Sequence, residues 1–100
     1  MPYSIEYGRG IADDLANMRA YDRSRILDEV EQQLTHQPTI PTRRRKILIG
    51  LDPPWEHEDP VWELRIGDWR VYYDVDADAM RVVVRAIRQK PPHQTTKEIV

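Results

Sequence analysis

Trp62-Glu63-Leu64-Arg65-Ile66-Gly67-Asp68-Trp69-Arg70-Val71-Tyr72-Tyr73-Asp74-Val75 is the stretch that decides how this chain folds. From Trp62 to Ile66 large apolar residues alternate with charged ones, so Trp62, Leu64 and Ile66 share one face of a strand and Glu63 and Arg65 the other. Gly67-Asp68 reads as a two-residue hairpin turn, supplying residues that tolerate positive φ. The alternation then resumes, with Trp69, Val71, Tyr73 and Val75 inward. Asp76-Ala77-Asp78-Ala79 turns the chain again into Arg81 to Arg88, a third run rich in β-branched Val. The prediction is a meander of three antiparallel strands whose apolar face needs a cover.

The cover lies upstream. Tyr3-Ser4-Ile5-Glu6-Tyr7 alternates and reads as a short strand closed by Gly8 and Gly10. Ile11, Leu15 and Met18 then fall at helical spacing, with Asp13, Asp14 and Asn17 toward water. Asp22 is the expected N-cap of a second helix, whose apolar stripe is Ile26, Leu27, Val30 and Leu34 and which Pro38 stops. Only Arg19-Ala20-Tyr21 remains to connect the two, so they should form an antiparallel hairpin. A basic run, Arg43 to Lys46, leads into Ile47-Leu48-Ile49, a possible short strand, and a Pro-rich loop follows to Pro60. The expected fold is α+β with two layers, ordered β-α-α-β-β-β, the helix hairpin packed on one face of a mostly antiparallel sheet.

At 100 residues the chain should form one domain, residues 1–100, with one modest core. It has no cysteine, which excludes a disulfide framework, a zinc ribbon and a cysteine nucleophile and fits a reducing compartment. No apolar run reaches the length of a membrane span, and Met1 to Glu6 lacks the basic-then-apolar order of a signal peptide. A cytoplasmic protein without a membrane partner is expected. His36, His57 and His93 are scattered without metal-ligand spacing, and no Gly-rich phosphate loop is present, so neither a metal nor a cofactor is expected.

The formal net charge of −2 argues against a generic polyanion binder, but its distribution does not. Residues 1–40 carry seven acids against four arginines, whereas Arg43 to Lys46 is a run of four bases and Arg81 to Lys90 holds four bases and no acid. Twelve of the 15 basic residues are Arg, whose planar fork suits bidentate contact with phosphate or carboxylate. Strand alternation puts Arg65 and Arg70 on the face away from the helices, near Arg85 if the third strand is in register. Arg, Lys, His, Tyr and Glu on an open sheet suit one reaction class, cleavage of RNA by its own 2′-hydroxyl. That reaction needs a base for the hydroxyl, cations for the pentavalent phosphate and an acid for the leaving oxygen.

The Trp62–Val75 stretch resembles the central signature of the RelE/ParE superfamily of bacterial type II toxin-antitoxin toxins. In that signature a strand ending Leu-Arg is followed by a Gly-containing turn, an aromatic-Arg pair and a strand of Val and Tyr. The resemblance extends over the early strand, the helix hairpin, the basic connection and a tail beginning Lys90-Pro91-Pro92-His93. It implies a co-encoded antitoxin as partner, through an acidic amphipathic segment. It also implies growth arrest, either through ribosome-dependent cleavage of mRNA or, in the ParE branch, through DNA gyrase. A weakly toxic antitoxin-binding module is a third possibility.

Carried over residue by residue, Arg70 after Trp69 matches the arginine that stabilises the scissile phosphate in RelE-type ribonucleases. Val61 and Glu63 stand where those enzymes carry a lysine pair. Lys90 falls near their second functional arginine, and Thr96 near a stacking tyrosine. Relatives that use Glu as base and His as acid make Glu63 or Glu56, with His93, the substitutes here. The resemblance thus implies a catalytic set of Arg70, Lys90, Glu63 and His93, with RNA contacts from Arg43, Arg44, Arg45, Lys46, Arg65, Arg85 and Arg88.

Overall fold

The computed structural model describes residues 2–92 and 94–100. Its elements are β1 (Ser4–Tyr7), α1 (Ile11–Ala16), α2 (Ala20–Leu34), β2 (Arg45–Ile47), β3 (Trp62–Ile66), β4 (Trp69–Asp76), β5 (Arg81–Gln89) and α3 (Thr96–Ile99). The strands form one five-stranded sheet in the order β1-β5-β4-β3-β2. The predicted meander β3-β4-β5 is its centre, antiparallel throughout, with β2 added antiparallel to β3 and β1 parallel to β5.

The inward face is the one the alternation predicts. Trp62, Leu64, Ile66, Val71, Tyr73, Val82, Val84 and Ile87 form a single buried cluster with Ile11, Ile26, Val30 and Leu34 of the helices. Within it Trp62 stacks on its cross-strand partner Tyr73, ring centroids 6.2 Å apart. The Tyr73 hydroxyl, buried beneath the helices, donates to the Pro38 carbonyl at 2.6 Å, which satisfies its polar atom and ties the end of the helix layer to the sheet. Arg23 of α2 donates to the carbonyls of Leu15 and Met18, adding side-chain partners to the backbone bonds at the end of α1.

Turn chemistry follows the residues. Gly67 takes φ 60° between the paired residues Ile66 and Trp69, while Asp68 stays out of the positive-φ region, as in a type II′ hairpin. A side chain at Gly67 would also meet Arg25, whose guanidinium nitrogen lies 2.9 Å from where a Cβ would stand.

Local expectations are corrected in four places. Asp22 is not an N-cap: α2 begins at Ala20 with Arg19 as the extended capping residue, and Asp22 lies in the first turn, where it accepts from Arg19 Nε at 3.4 Å. Acid there offsets the exposed N–H groups by charge rather than by capping. The basic run and the strand after it overlap, because β2 spans Arg45–Ile47 and not Ile47–Ile49. Met18 lies past the end of α1, although it still packs on the core. Arg85 is not beside Arg65 and Arg70. A register shift at Tyr72/Tyr73 pairs Tyr72 with Ala86 and Tyr73 with Val84, so Arg85 is the extra residue of a bulge and Arg88 becomes the partner of Arg70.

Candidate active site

On the face opposite the helices the register builds two rows of side chains. Lys46, Glu63, Tyr72 and Ala86 are successive cross-strand partners from β2 to β5, and Arg65, Arg70 and Arg88 form the next row across β3, β4 and β5. Lys46, Glu63, Arg65 and Arg70 line a depression of about 310 Å³, closed on one side by Lys90, Gln94, Thr95 and Thr96 from the end of the chain. Arg70, Lys90 and Glu63, named from the sequence as catalytic, are therefore in one place, with Lys46 and Arg65 beside them. His93, the sequence-based acid, lies outside the described residues.

Glu63 is a buried carboxylate in this cationic surround. It is 1% exposed, receives the Thr96 hydroxyl at 2.6 Å on Oε2 and has Lys46 Nζ 3.7 Å from Oε1. Arg70 is nearly buried, and its Nη1 donates to the carbonyls of Gly67 and Trp69, both at 2.8 Å, so the hairpin's own turn fixes the guanidinium. Arg65 is exposed, and no carboxylate pairs with it among the described residues. Lys90 is held by its backbone N–H, which donates to the Asp68 carbonyl at 2.7 Å.

Tyr72, opposite Glu63, was not singled out from the sequence, although strand alternation already put it on this face. It is fully buried in a small cluster with Val61 and Ala86, flanked by Leu48, Trp55 and Val100. Its ring packs against Trp55, centroids 5.4 Å apart. The hydroxyl faces Glu63 and Thr96 but makes no hydrogen bond of normal geometry. Burial first, and then the Glu63 charge, pushes its pKa above the usual phenol range.

The other sequence candidates are elsewhere. Arg45 is buried on the helix side and donates to the Gln33 carbonyl. Its guanidinium therefore closes α2 and cannot reach a ligand on the opposite face. Arg44 pairs with Glu29 at 3.0 Å, and Arg43 is exposed in the same turn, where Thr42 Oγ1 accepts from the N–H groups of Arg44 and Arg45. Arg88, although beside Arg70 in register, reaches Asp14 at 3.3 Å. Asp14 also accepts the Ile87 N–H at 3.3 Å, a group β1 leaves unpaired beyond Val84. Arg85 is bound through Nε to Asp74 at 2.7 Å and lines a separate depression with Glu58, Asp76 and Arg81. Glu56, the alternative base, is exposed in the loop before β3. Among the described residues no group of three or more His, Asp or Glu side chains is placed to hold a metal ion.

The fold, two helices on one face of a five-stranded sheet, can be set beside known proteins. The family described as ParE toxin of type II toxin-antitoxin system, parDE, matches residues 5–90, and the chain belongs to that family. Two solved structures share the fold. The toxin-antitoxin complex RelBE2 from Mycobacterium tuberculosis is 19% identical over 90% of this chain and 93% of that one, TM-score 0.70. The archaeal RelE-RelB complex from Pyrococcus horikoshii is 17% identical over 95% of this chain and 100% of that one, TM-score 0.62. No curated protein sequence matches the chain. Among the described residues no helix is long and apolar enough to cross a membrane.

Proposed function

We propose that this toxin cleaves RNA, without a resident metal, at the depression around Glu63. The observation that carries the reading is a buried carboxylate with Lys46, Arg65, Arg70 and Lys90 gathered around it. Like charges on adjacent strands oppose folding, so a set of cations assembled there calls for an anionic ligand. In the reaction Glu63 takes the 2′-hydroxyl proton, the 2′-oxygen attacks phosphorus, and the bond to the 5′-oxygen breaks. Arg70 and Lys90 stabilise the charge that develops on the phosphoryl oxygens. The leaving oxygen takes its proton from Lys90 or His93, and the products are a 2′,3′-cyclic phosphate and a 5′-hydroxyl.

The structural neighbours are complexes of RelE-type proteins with RelB-type partners, which supports an antitoxin as the physiological partner of this chain. An acidic amphipathic segment suits the cationic face, and the ribosome with its mRNA is the expected target. The match to a ParE family favours a second reading, in which the chain inhibits DNA gyrase without chemistry. The two separate on induction of the chain alone in cells. Broken ribosome-bound messages with undamaged DNA, lost in Arg70→Ala at equal expression, support the ribonuclease. Intact messages with gyrase-linked DNA breaks support the second reading.

A further inference from the structure

We propose that the last helix holds the site closed by setting the Thr96 hydroxyl where the attacking hydroxyl of a substrate would stand, so that RNA must displace it to reach Glu63. The inference rests on the reading of Glu63 as the base. An alcohol donating to a base carboxylate is the arrangement of the reacting state, and Thr96 Oγ1 supplies it from within the chain, 2.6 Å from Glu63 Oε2. With Thr96 in place, Glu63 is only 1% exposed, although it lines the depression.

Three further observations fit a displaceable element. Helix α3 has four residues, two exposed and two half-buried, so little packing holds it; Val100, which follows it, packs on the Val61–Tyr72–Ala86 cluster. The Tyr72 hydroxyl, fully buried and facing Glu63 and Thr96, makes no hydrogen bond of normal geometry while Thr96 donates to the carboxylate. Departure of Thr96 frees an acceptor for it, which offsets part of the cost of opening. Finally, Gln94, Thr95 and Thr96 form only one wall of the depression, whose 310 Å³ or so beside Lys46, Arg65, Arg70 and Lys90 is open to a phosphate group. A lone phosphate can thus enter without moving the helix, whereas a nucleotide whose 2′-oxygen must reach Glu63 cannot.

The test compares the full-length wild-type chain with Thr96→Val, which keeps the shape and removes the hydroxyl, and Thr96→Ser, which keeps the hydroxyl. Binding of a short fluorescent RNA is measured by anisotropy and binding of inorganic phosphate by titration. Loss of one hydrogen bond to a carboxylate should raise the population of the open form and tighten RNA binding about tenfold in Thr96→Val. Thr96→Ser should behave as wild type, and phosphate should bind all three equally. RNA binding of equal strength in the three chains, or weaker binding by Thr96→Val, overturns the inference and leaves the RNA site standing. If phosphate binds but no chain binds RNA, the RNA reading itself fails and the inference with it.

Discussion

Arg65 and Arg70 stand directly opposite one another across the β3-β4 hairpin, and Arg70 stands opposite Arg88 across β4 and β5. Opposed like charges cost a sheet stability, and two of the three are relieved: Arg70 by the turn carbonyls, Arg88 by Asp14. Arg65 is exposed and has no acidic partner among the described residues. Arg65→Gln should therefore stabilise the fold by about 0.2–1 kcal/mol in urea denaturation. The same change should weaken RNA binding and lower the slope of log affinity against log salt by about 0.7, the share of one phosphate contact on a single strand. A stabilised variant with an unchanged salt slope would show that Arg65 touches no phosphate.

Glu63→Gln tests the chemistry with little effect on shape, since a glutamine Oε can still accept from Thr96. Removing a general base typically costs about 10²- to 10⁴-fold in rate. Single-turnover cleavage should fall within that range while affinity for RNA holds or rises, because a neutral group replaces a negative one beside the phosphate. Cleavage at the wild-type rate would move the base elsewhere, with Glu56 the next residue to substitute.

The inward face was legible because period-two alternation leaves only one way to bury Trp62, Leu64, Ile66, Val71 and Tyr73 together. The helix stripe of Ile26, Val30 and Leu34 was legible for the same reason at period 3.6. Long-range pairing was not: nothing local in Ser4–Tyr7 says that it lies parallel to β5 at the edge of the sheet. The site divided along the same line. Glu63, Arg65 and Arg70 share a hairpin, so alternation brings them together, whereas the bulge that carries Arg85 away leaves no mark in a run of valines. Arg45 reads as solvated in a basic run, yet the unpaired Gln33 carbonyl near the end of α2 draws it inward.

Two tyrosines make the fold sensitive to alkali. Tyr72 and Tyr73 are fully buried, and burial is the largest cause of the raised pKa of each. Unfolded, both titrate near the ordinary phenol value of 10.0. A folded pKa above the unfolded one gives stability that is complete below about pH 10 and is lost as pH rises beyond it, because only the unfolded chain then releases the proton. The melting temperature should be flat in this respect up to about pH 10 and fall above it. Tyr72→Phe should make the alkaline fall shallower by about one proton's worth of slope. An unaltered slope would mean that the Tyr72 hydroxyl reaches solvent.

Asp74 and Arg85 carry the last prediction, and it concerns stability rather than catalysis. Asp74 is 3% exposed and accepts from Arg85 Nε at 2.7 Å, from Arg85 Nη2 at 3.3 Å and from the Glu58 N–H at 2.9 Å. The guanidinium sits on the bulge and the N–H on the loop before β3, so one carboxylate fastens both to β4. That hydrogen bonding, the largest cause, together with the negative charge of Asp74, outweighs burial and raises the Arg85 pKa. Asp74→Ala leaves a largely buried guanidinium and a loop N–H without acceptors, a defect of about 3–5 kcal/mol when both ions are buried. Arg85 keeps a partly open side, 16% exposed, so a loss of about 2–4 kcal/mol is expected in urea denaturation. Arg85→Ala alone should cost less, because the Glu58 N–H still partners the carboxylate. The double variant should be less destabilised than the sum of the two, by about 0.5–3 kcal/mol, since each single change already breaks the shared bond. Strictly additive losses would show that the pair is a surface contact and that the bulge is held by the backbone alone.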